Sequence, residues 1–414
     1  MRILQVSDGY PPVVGGLEVY VESLSRALAD EGHEVVVATL ARPGWPARET
    51  LGGIAVFRLG GLTQHLPGAG HDPGQLFHPP VPDPPIVWQL QALVRRYRPD
   101  VIHAHGWMMH SCLPLRRGTA ALVVHLHEYG LSCVKKTMMT PSGPCRLGPG
   151  LRRCPPCAAG QYRGVGRAGL ISVSLRAERP MYRRVDAFVA ISNAVADTAR
   201  TVIPHRHLLT VIPTAVADDL GQVAELTPAP PWIPNSPYLL FVGALGPHKG
   251  IDVLLRARSL STSGLPLVVI GTPRSDTPDL DDPAVIVRRD VAHDQVMAVW
   301  RRACVGVVPS VWPEPFGQVA VECQSVGTPV IVSGTGGLLD IVTDDVNGVV
   351  VPPGDPVALA DAIDRLAADE ALRVRLGEAG RISATAFTMS SLLPELHRVY
   401  AHAVTRRHAE RHQW

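Results

Sequence analysis

Short runs of apolar and β-branched residues alternate along the chain with stretches whose apolar residues recur every three to four positions. The runs have the length of strands and the stretches have the periodicity of amphipathic helices, so the pattern predicts βαβ units and parallel sheets. Between the first two runs, the apolar residues from Leu17 to Leu28 predict a helix that Gly32 ends. The strands predicted in the first half are Ile3–Val6, Val35–Thr39, Val56–Leu59, Val101–His103, Leu122–Val124, Ala187–Ala190 and Val211–Ile212.

The alternation then stops and begins again. Residues 217–236 are rich in proline, aspartate and small polar residues, a composition that predicts a linker. Later, Asp355 and Pro356 offer an N-cap and a first-turn proline for a helix. The strands predicted in the second half are Tyr238–Val242, Leu267–Ile270, Val285–Val287, Val305–Val308, Val330–Val332 and Val349–Val351.

The two halves predict an α/β protein with two Rossmann-like, doubly wound parallel-sheet domains, residues 1–216 and 237–384. A chain of 414 residues is long enough for two cores of ordinary size. Ligands of such sheets bind beyond the carboxyl ends of the strands, so we expect the two sheets to face each other across a cleft.

Charge and composition exclude several classes of protein. The net charge of +2 provides no basic excess for binding nucleic acid or an anionic membrane. The first residues lack the apolar core of a signal peptide, and no stretch approaches the ~20 apolar residues of a membrane helix. We therefore expect a cytoplasmic protein and leave peripheral membrane contact open. Lysine occurs only at Lys135, Lys136 and Lys249, and every other basic residue is arginine.

The most informative motif runs from Glu314 to Glu322 and follows a buried strand. Pro315 excludes a helix interior, and Gly317 lets the backbone approach a ligand and can open a helix. The first backbone N–H groups of that helix suit a diphosphate. Carboxylates at Glu314 and Glu322 can accept hydrogen bonds from sugar and ribose hydroxyls. The alternative is two solvated glutamates, one at a helix start and one on its face.

This segment resembles the signature of the glycosyltransferase family 4 group, whose two glutamates are separated by seven residues. The resemblance implies the GT-B fold and assigns Glu314 to the donor sugar and Glu322 to the ribose. It also implies that backbone amides of Phe316, Gly317 and Gln318 meet the sugar and diphosphate.

The resemblance extends to residues 336–338 and 347–355 and to a loop before the first helix of the second domain. There Lys249 corresponds to a lysine that clamps the diphosphate in the family. A compact ammonium cannot be replaced by a planar guanidinium at such a site, which explains a lysine in an arginine-rich chain. Ala244 stands where the family usually has a second cation, an arginine. The alternative for Lys249 is a surface lysine near a helix start.

In the first domain, Gly15 and Gly16 join the first strand to the first helix. Paired glycines allow a phosphate or an acceptor to approach the helix N-terminus, although a turn that needs positive φ explains them equally well. The loop resembles the family's N-domain glycine loop, which places Gly15 and Gly16 among the donor-binding residues. It lacks the spacing and the following acidic residue of an NAD-binding fingerprint, which argues against a dehydrogenase.

Histidines end two predicted strands of the first domain. His103 and His105 are two positions apart on one strand, so they point to the same face of the sheet. The family resemblance places His105 beside the anomeric carbon of the donor. His127, at the end of the next strand, matches a family histidine on the acceptor side. Without the resemblance, hydrogen-bonded core histidines are the favoured interpretation, and a metal site is a minor alternative.

Four of the seven cysteines, Cys133, Cys145, Cys154 and Cys157, lie in an insertion over residues 130–160. Four thiolates can form a closed tetrahedral zinc site that fixes a long loop. Free thiols or a disulfide are the alternatives. Asp279-Leu280-Asp281 matches a metal-binding motif of another glycosyltransferase fold, but its Pro/Asp-rich surroundings favour a solvated turn.

The resemblance implies a retaining hexosyltransferase in which residues 1–216 bind a hydroxyl acceptor and residues 237–384 bind a UDP- or GDP-sugar. Residues 385–414 are expected to form a final helix that packs back on the first domain. The resemblance further implies that the departing diphosphate takes the acceptor proton, so we expect no required metal or other cofactor and expect His105, Lys249 and Glu314 to be the catalytic residues. The alternatives are a nucleotide-sugar epimerase of the same fold and a non-catalytic nucleotide-sugar-binding protein.

Overall fold

The computed structural model shows the predicted alternation of strands and helices as two separate parallel sheets. It describes residues 1–13, 15–62, 77–145, 147–203 and 209–411. The chain divides into an N-terminal unit, Met1–Pro213 with Leu393–Trp414, and a C-terminal unit, Thr214–Leu392.

The N-terminal unit is built on a mostly parallel sheet, and all of its strands except β3 overlap the predicted apolar runs. Its strands, in chain order, are β1 (Arg2–Ser7), β2 (Glu34–Leu40), β3 (Arg48–Leu51), β4 (Ile54–Leu59), β5 (Val101–His105), β6 (Ala121–Leu126), β7 (Met139–Thr140), β8 (Gly143–Pro144), β9 (Ala187–Ala190) and β10 (Leu209–Val211). The order across the sheet is β10-β9-β6-β5-β1-β2-β4-β3, and β7 and β8 form a separate antiparallel hairpin. All neighbouring pairs in this sheet are parallel except β3 and β4.

Strand direction and burial explain why the central strands could be predicted. Every residue of β5 and of β6 is buried, as expected for a sheet with both faces covered. The short edge strand β3 was not predicted, because its exposed and half-buried residues alternate without an apolar run.

The strand order changes direction next to β1. The chain continues from β1 to β2 on one side and later returns to β5 on the other, so the topological switch point lies between β1 and β5.

The helices of the N-terminal unit are α1 (Gly16–Asp30), α2 (Pro84–Tyr97), α3 (Met109–Cys112), α4 (Cys154–Ala158), α5 (Val165–Ala177), α6 (Asn193–Arg200) and most of the last helix of the chain. The predicted first helix is confirmed: Tyr20, Val21, Leu24 and Leu28 are buried along one side of α1. Gly32 follows it with a positive φ of 84°, which favours glycine.

The C-terminal unit contains a six-stranded parallel sheet. Its strands are β11 (Leu239–Val242), β12 (Leu267–Ile270), β13 (Val285–Arg288), β14 (Val305–Val308), β15 (Val330–Ser333) and β16 (Val349–Val351). Their order is β13-β12-β11-β14-β15-β16, so the topological switch point lies between β11 and β14. All six coincide with predicted strands.

The helices of the C-terminal unit are α7 (Leu220–Leu226), α8 (Ile251–Leu260), α9 (His293–Arg302), α10 (Gln318–Ser325), α11 (Leu338–Ile341), α12 (Pro356–Ala368) and α13 (Glu370–Ala384), followed by the start of α14 (Met389–Arg411). As predicted, the Asp355 side chain caps α12, because its carboxylate accepts the backbone N–H groups of Val357 and Ala358. The last helix begins at Met389, after a short 3₁₀ turn at Thr385–Phe387.

Residues 217–236 differ from the predicted linker. They contain helix α7, whose Leu220 and Ala224 are buried within the C-terminal unit. The composition of the segment concealed this helix, since only eight residues lie between the Asp218-Asp219 pair and the prolines that follow.

From Leu393 onward, the last helix belongs to the N-terminal unit. Leu396 and Ala403 are buried, and the hydroxyl of the fully buried Tyr400 lies 2.8 Å from Nδ1 of His103. These contacts fix the end of the chain beside the histidines of β5.

Candidate functional site

Two loops meet at the switch point of the C-terminal sheet and bring together Lys249 and Glu314. Lys249 ends a 3₁₀ turn after β11, and Glu314 lies in the loop after β14. Gly250 allows this approach: its φ is 75°, and a Cβ there would lie 1.9 Å from the carbonyl oxygen of Pro309. The close packing of the two loops therefore requires glycine at this position.

Glu314 is the centre of a nearly buried group of polar contacts. Its carboxylate oxygens lie 2.9 and 2.8 Å from Nζ of Lys249. One oxygen also accepts hydrogen bonds from Oγ of Ser310 at 2.9 Å and Nε1 of Trp312 at 2.8 Å. Burial alone would raise the pKa of Glu314, but the Lys249 ammonium and these donors hold the pKa below its ordinary value. The site is therefore an ionised carboxylate with its counter-ion.

The backbone around this pair leads into the N-terminus of α10. Gly317 has a φ of 104°, and a Cβ at this residue would lie 2.4 Å from Cδ2 of Leu338. Gly336 packs against the backbone of Glu314, and the Gly337 N–H donates to the Glu314 carbonyl at 2.7 Å. Gly336 and Gly337, which belong to the family resemblance, thus support the Glu314 loop directly. The N–H groups of the first turn of α10 begin next to it at Gln318.

Glu322 lies on α10 and is nearly buried. Its Oε1 atom is 3.1 Å from Nε2 of His293, the first residue of α9. The hydrogen bond to Glu322 raises the pKa of His293 above its ordinary value despite partial burial. Sequence reasoning missed His293, because α9 and α10 are brought together only by the fold.

A second cation lies close to the Lys249 loop. Arg274 follows β12, and its Cδ lies 3.2 Å from the position a Cβ would take at Gly246. Burial and the positive charges of Lys249 and Arg274 together lower the pKa of the adjacent His248. Arg274 was not predicted from the sequence, because it lies in the loop after β12. The family arginine is expected at Ala244, which lies in the loop after β11.

In the N-terminal unit, the glycine loop after β1 is shaped by Glu18 of α1. Ideal Cβ positions at Gly9 and Gly15 would lie 2.2 and 2.3 Å from carboxylate oxygens of Glu18. Gly15 therefore makes room for a side chain of the protein itself. A Cβ at Gly16 would meet no heavy atom within 4 Å, so Gly16 is the glycine of this pair with open space beside it.

His105 and His127 are in contact at the carboxyl ends of β5 and β6. Nδ1 of His105 lies 2.9 Å from Nε2 of His127, and Nε2 of His105 lies 2.8 Å from Oε1 of Gln5. His105 is fully buried, whereas His127 is half-buried. Burial lowers the pKa of both, to about 3 for His127, so both imidazoles are neutral. The role expected for His105 beside the donor remains a prediction, and His127 is the more accessible of the pair.

The same sheet edge carries a charged group that sequence reasoning missed. Nζ of Lys136 lies 2.6 Å from Oε1 of Glu128 and 3.9 Å from Oδ2 of Asp8, above the Trp107 ring. The Asp8 carboxylate also accepts the backbone N–H groups of Trp107 and Met108. The rarity of lysine in this chain was the signal that could have identified Lys136.

Cys133, Cys145, Cys154 and Cys157 line one small cavity beside the β7–β8 hairpin. The Gly150 N–H donates to Sγ of Cys154 at 3.2 Å. Their sulfur atoms are not close enough together to form a compact set of metal ligands. Among the described residues, two other groups of side chains do place their ligand atoms close together. Those groups are His103, His105 and His125, and Glu31, His33 and His397.

Asp279 and Asp281 lie in an exposed loop, and the Asp281 N–H donates to the Asp279 carboxylate at 3.0 Å. This local turn agrees with the solvated alternative for the Asp279-Leu280-Asp281 motif.

The geometry of two doubly wound sheets with a cation–carboxylate pair at a switch point agrees with comparisons to known proteins. Residues 14–220 match the family described as Glycosyltransferase Family 4, and residues 224–383 match Glycosyl transferases group 1. The chain is 30% identical to D-inositol 3-phosphate glycosyltransferase of Xylanimonas cellulosilytica, over 95% of this chain and 93% of that protein. It is 27% identical to glycogen synthase of Mycobacterium tuberculosis, over 92% of this chain and 89% of that protein.

Two solved structures show the same fold. Sucrose-phosphate synthase from Thermosynechococcus elongatus has a TM-score of 0.71 and 24% identity, covering 97% of this chain and 98% of that chain. Anabaena HepE in complex with UDP-glucose has a TM-score of 0.67 and 17% identity, covering 97% of this chain and 99% of that chain.

The fold and the site define a GT-B glycosyltransferase. The chain belongs to glycosyltransferase family 4, the group 1 glycosyltransferases, which confirms the resemblance, the fold class and the enzyme class predicted from the sequence. Among the described residues, no helix combines the length and the apolar character needed to cross a membrane.

Proposed function

We propose that the enzyme transfers a hexosyl group from a UDP- or GDP-sugar to an acceptor hydroxyl with retention of anomeric configuration. The donor binds to the C-terminal unit and the acceptor to the N-terminal unit. The observation that carries this proposal is the ionised Lys249–Glu314 pair beside the N-terminus of α10, at the switch point where doubly wound sheets bind ligands.

Lys249 and α10 are proposed to hold the departing diphosphate. The ammonium of Lys249 is half-buried, so it provides positive charge where water screens it only partly. The free N–H groups at the start of α10, from Phe316 through Gln318, add oriented donors for phosphate oxygens. Both features stabilise the negative charge that develops on the leaving group.

The two glutamates take different parts of the donor in this proposal. Glu314, in the loop next to Lys249, accepts hydrogen bonds from the sugar hydroxyls. Glu322, one turn into α10, accepts hydrogen bonds from the ribose hydroxyls. These hydrogen bonds would replace its contact with His293. Charge-assisted bonds of this kind contribute about 1.5–3 kcal/mol each.

Arg274 is proposed to replace the second cation that Ala244 lacks. Its guanidinium comes from the loop after β12, on the same sheet edge as Lys249, and its stem lies against Gly246. The side chain is partly exposed, and its Nε atom lies 3.5 Å from Oδ1 of Asp276. To bind a phosphate, Arg274 would have to break this surface ion pair, which costs little.

In the N-terminal unit, we propose that His127 contacts the substrates and that His105 and Gln5 fix its orientation. Gly16 provides close access to the backbone there. No side chain has to remove the acceptor proton in this mechanism, because an oxygen of the departing diphosphate takes it on the face of the sugar from which the diphosphate leaves. The enzyme contributes orientation and electrostatic stabilisation, and the reaction needs no metal.

The four insertion cysteines are proposed to bind one structural zinc. Their shared cavity and the backbone N–H groups directed at Cys133 and Cys154 fit thiolate ligands, which accept such donors. Zinc binding would draw the four sulfur atoms together and fix the loop that carries Lys136.

A donor panel tests the function. Thermal unfolding with each UDP-, GDP- and ADP-sugar, followed by NMR of the product formed with polyol and sugar acceptors, identifies the donor and the anomeric outcome. We expect one nucleotide to stabilise the protein strongly, and a product with the anomeric configuration of the donor. An inverted product, or release of free sugar and nucleoside diphosphate without an acceptor, would contradict the proposal.

A further inference from the structure

One segment of the N-terminal unit contains most of the excess positive charge of the chain. Between Lys135 and Arg184, here called the basic segment, the sequence has eleven Lys and Arg residues and one acidic residue, Glu178. The rest of the chain has 28 basic and 36 acidic residues. The small overall net charge therefore hides a strong separation of charge along the chain.

The arginines of the basic segment point mainly into solvent. Seven of them are exposed: Arg152, Arg153, Arg163, Arg167, Arg176, Arg183 and Arg184. Within the described residues, Arg152, Arg176 and Arg183 form no ion pair with an acidic side chain. The single acid, Glu178, instead lies 3.9 Å from Nδ1 of the buried His110. The guanidinium groups of Arg152, Arg176 and Arg183 thus have no acidic partner in the part of the chain that the structure describes.

Helix α5 places apolar side chains between these arginines. Its buried residues Ala168 and Leu175 pack on a small core that includes Tyr162. Away from that core, Leu170 is 67% exposed and Val173 is 54% exposed. The solvent-facing side of α5 therefore presents two apolar side chains between the exposed Arg167 and Arg176.

The loop before α4 extends the same surface. Leu151, which is 46% exposed, lines one cavity together with Arg176 and Arg179. Burial and the neighbouring Arg176 guanidinium lower the pKa of Arg179, which shows that like charges are held close together. An external anion at this surface would relieve that repulsion.

We propose that the basic segment docks the N-terminal unit onto an anionic lipid surface. Phosphate headgroups would pair with the exposed arginines, and Leu151, Leu170 and Val173 would enter the boundary between headgroups and acyl chains. A nucleic acid fits less well, because it favours exposed aromatic side chains for stacking, and Tyr162 and Tyr182 of the segment are buried. The proposal does not depend on the identity of the donor or the acceptor.

Vesicle flotation with the full chain tests this proposal. One set of vesicles contains equal parts of phosphatidylcholine and phosphatidylglycerol, and the other contains phosphatidylcholine alone. We expect binding to the anionic vesicles only, weakening as salt is added. Because each basic residue near an anionic surface contributes about a fivefold gain in binding, R152E/R176E should bind at least ~10-fold more weakly. L170S/V173S should also weaken binding, with less salt dependence.

The matched control is R256E/R289E, which makes the same change in charge at exposed arginines of the C-terminal unit. All six positions are exposed, so thermal unfolding should show that every variant is folded. Equal binding to neutral vesicles, or equal loss of binding in the control, overturns the proposal. Binding of the wild-type chain to a single-stranded oligonucleotide but not to anionic vesicles also overturns it.

Discussion

Replacing Lys249 by alanine removes the ammonium that contacts both carboxylate oxygens of Glu314, at 2.8 and 2.9 Å. In the proposed reaction the same ammonium stabilises the departing diphosphate. Removing one such preorganised donor costs catalysis about 2 kcal/mol or more, which corresponds to at least a ~30-fold loss of kcat/KM. Release of nucleoside diphosphate at low donor concentration measures this loss.

The same substitution should leave the protein folded. Breaking a buried ion pair typically costs 3–5 kcal/mol. Here Glu314 keeps the hydrogen bonds from Ser310 and Trp312, and Lys249 is partly exposed. We therefore expect unfolding to become easier by only about 1–2 kcal/mol. Denaturant titration separates this effect from the kinetic loss.

Lys135→Ala is the matched control, because the hydrogen bond of the Lys135 ammonium among the described residues goes to the Met139 carbonyl. It should keep full activity, whereas Lys249→Arg should be impaired, since a planar fork cannot reproduce the contacts of a compact ammonium. A folded Lys249→Ala enzyme with wild-type kcat/KM would refute the assignment of Lys249 to the leaving group.

Three further predictions concern other parts of the enzyme. Arg274→Ala should weaken binding of the nucleoside diphosphate about tenfold, and Arg289→Ala should not; equal affinities in calorimetry would remove Arg274 from the site. Because Glu322 raises the pKa of His293 above 6.5, the stability that His293 adds is complete below pH 6.5 and is lost as pH rises through the folded-state pKa. His293→Ala should flatten the pH dependence of unfolding in that window, and an unchanged profile would show that the pair has no energetic effect. Elemental analysis should find about one zinc per chain, and serine at Cys154 and Cys157 should abolish it; metal-free wild-type protein would exclude the zinc site.

The central strands of both sheets could be predicted because both faces of a parallel sheet are covered, so these strands are rich in apolar residues. The Glu314–Glu322 motif and Lys249 could be identified because local residue chemistry and a family signature coincide there. The edge strand β3 and the helix α7 escaped prediction. The first lacks an apolar run, and the second is a short helix between polar and proline-rich residues.

The parts of the site that depend on side chains from distant elements could not be predicted. His293 reaches Glu322 from α9, and Arg274 reaches the Lys249 loop from the end of β12. At the glycine loop of the first domain, the structure changes the reason for glycine at position 15. The space next to Gly15 is taken by Glu18, an interaction that glycine spacing alone does not reveal.

In the proposed site, Glu322 holds the nucleotide while Glu314 holds the sugar. Calorimetric titration of the bare nucleoside diphosphate into wild-type, Glu322→Ala and Glu314→Ala protein tests this division. We predict a loss of about 1.5–3 kcal/mol in binding for Glu322→Ala and a much smaller loss for Glu314→Ala, because the bare diphosphate has no sugar for Glu314 to hold. Equal losses in the two variants would contradict this division and would make the motif a shared support for the phosphate loop.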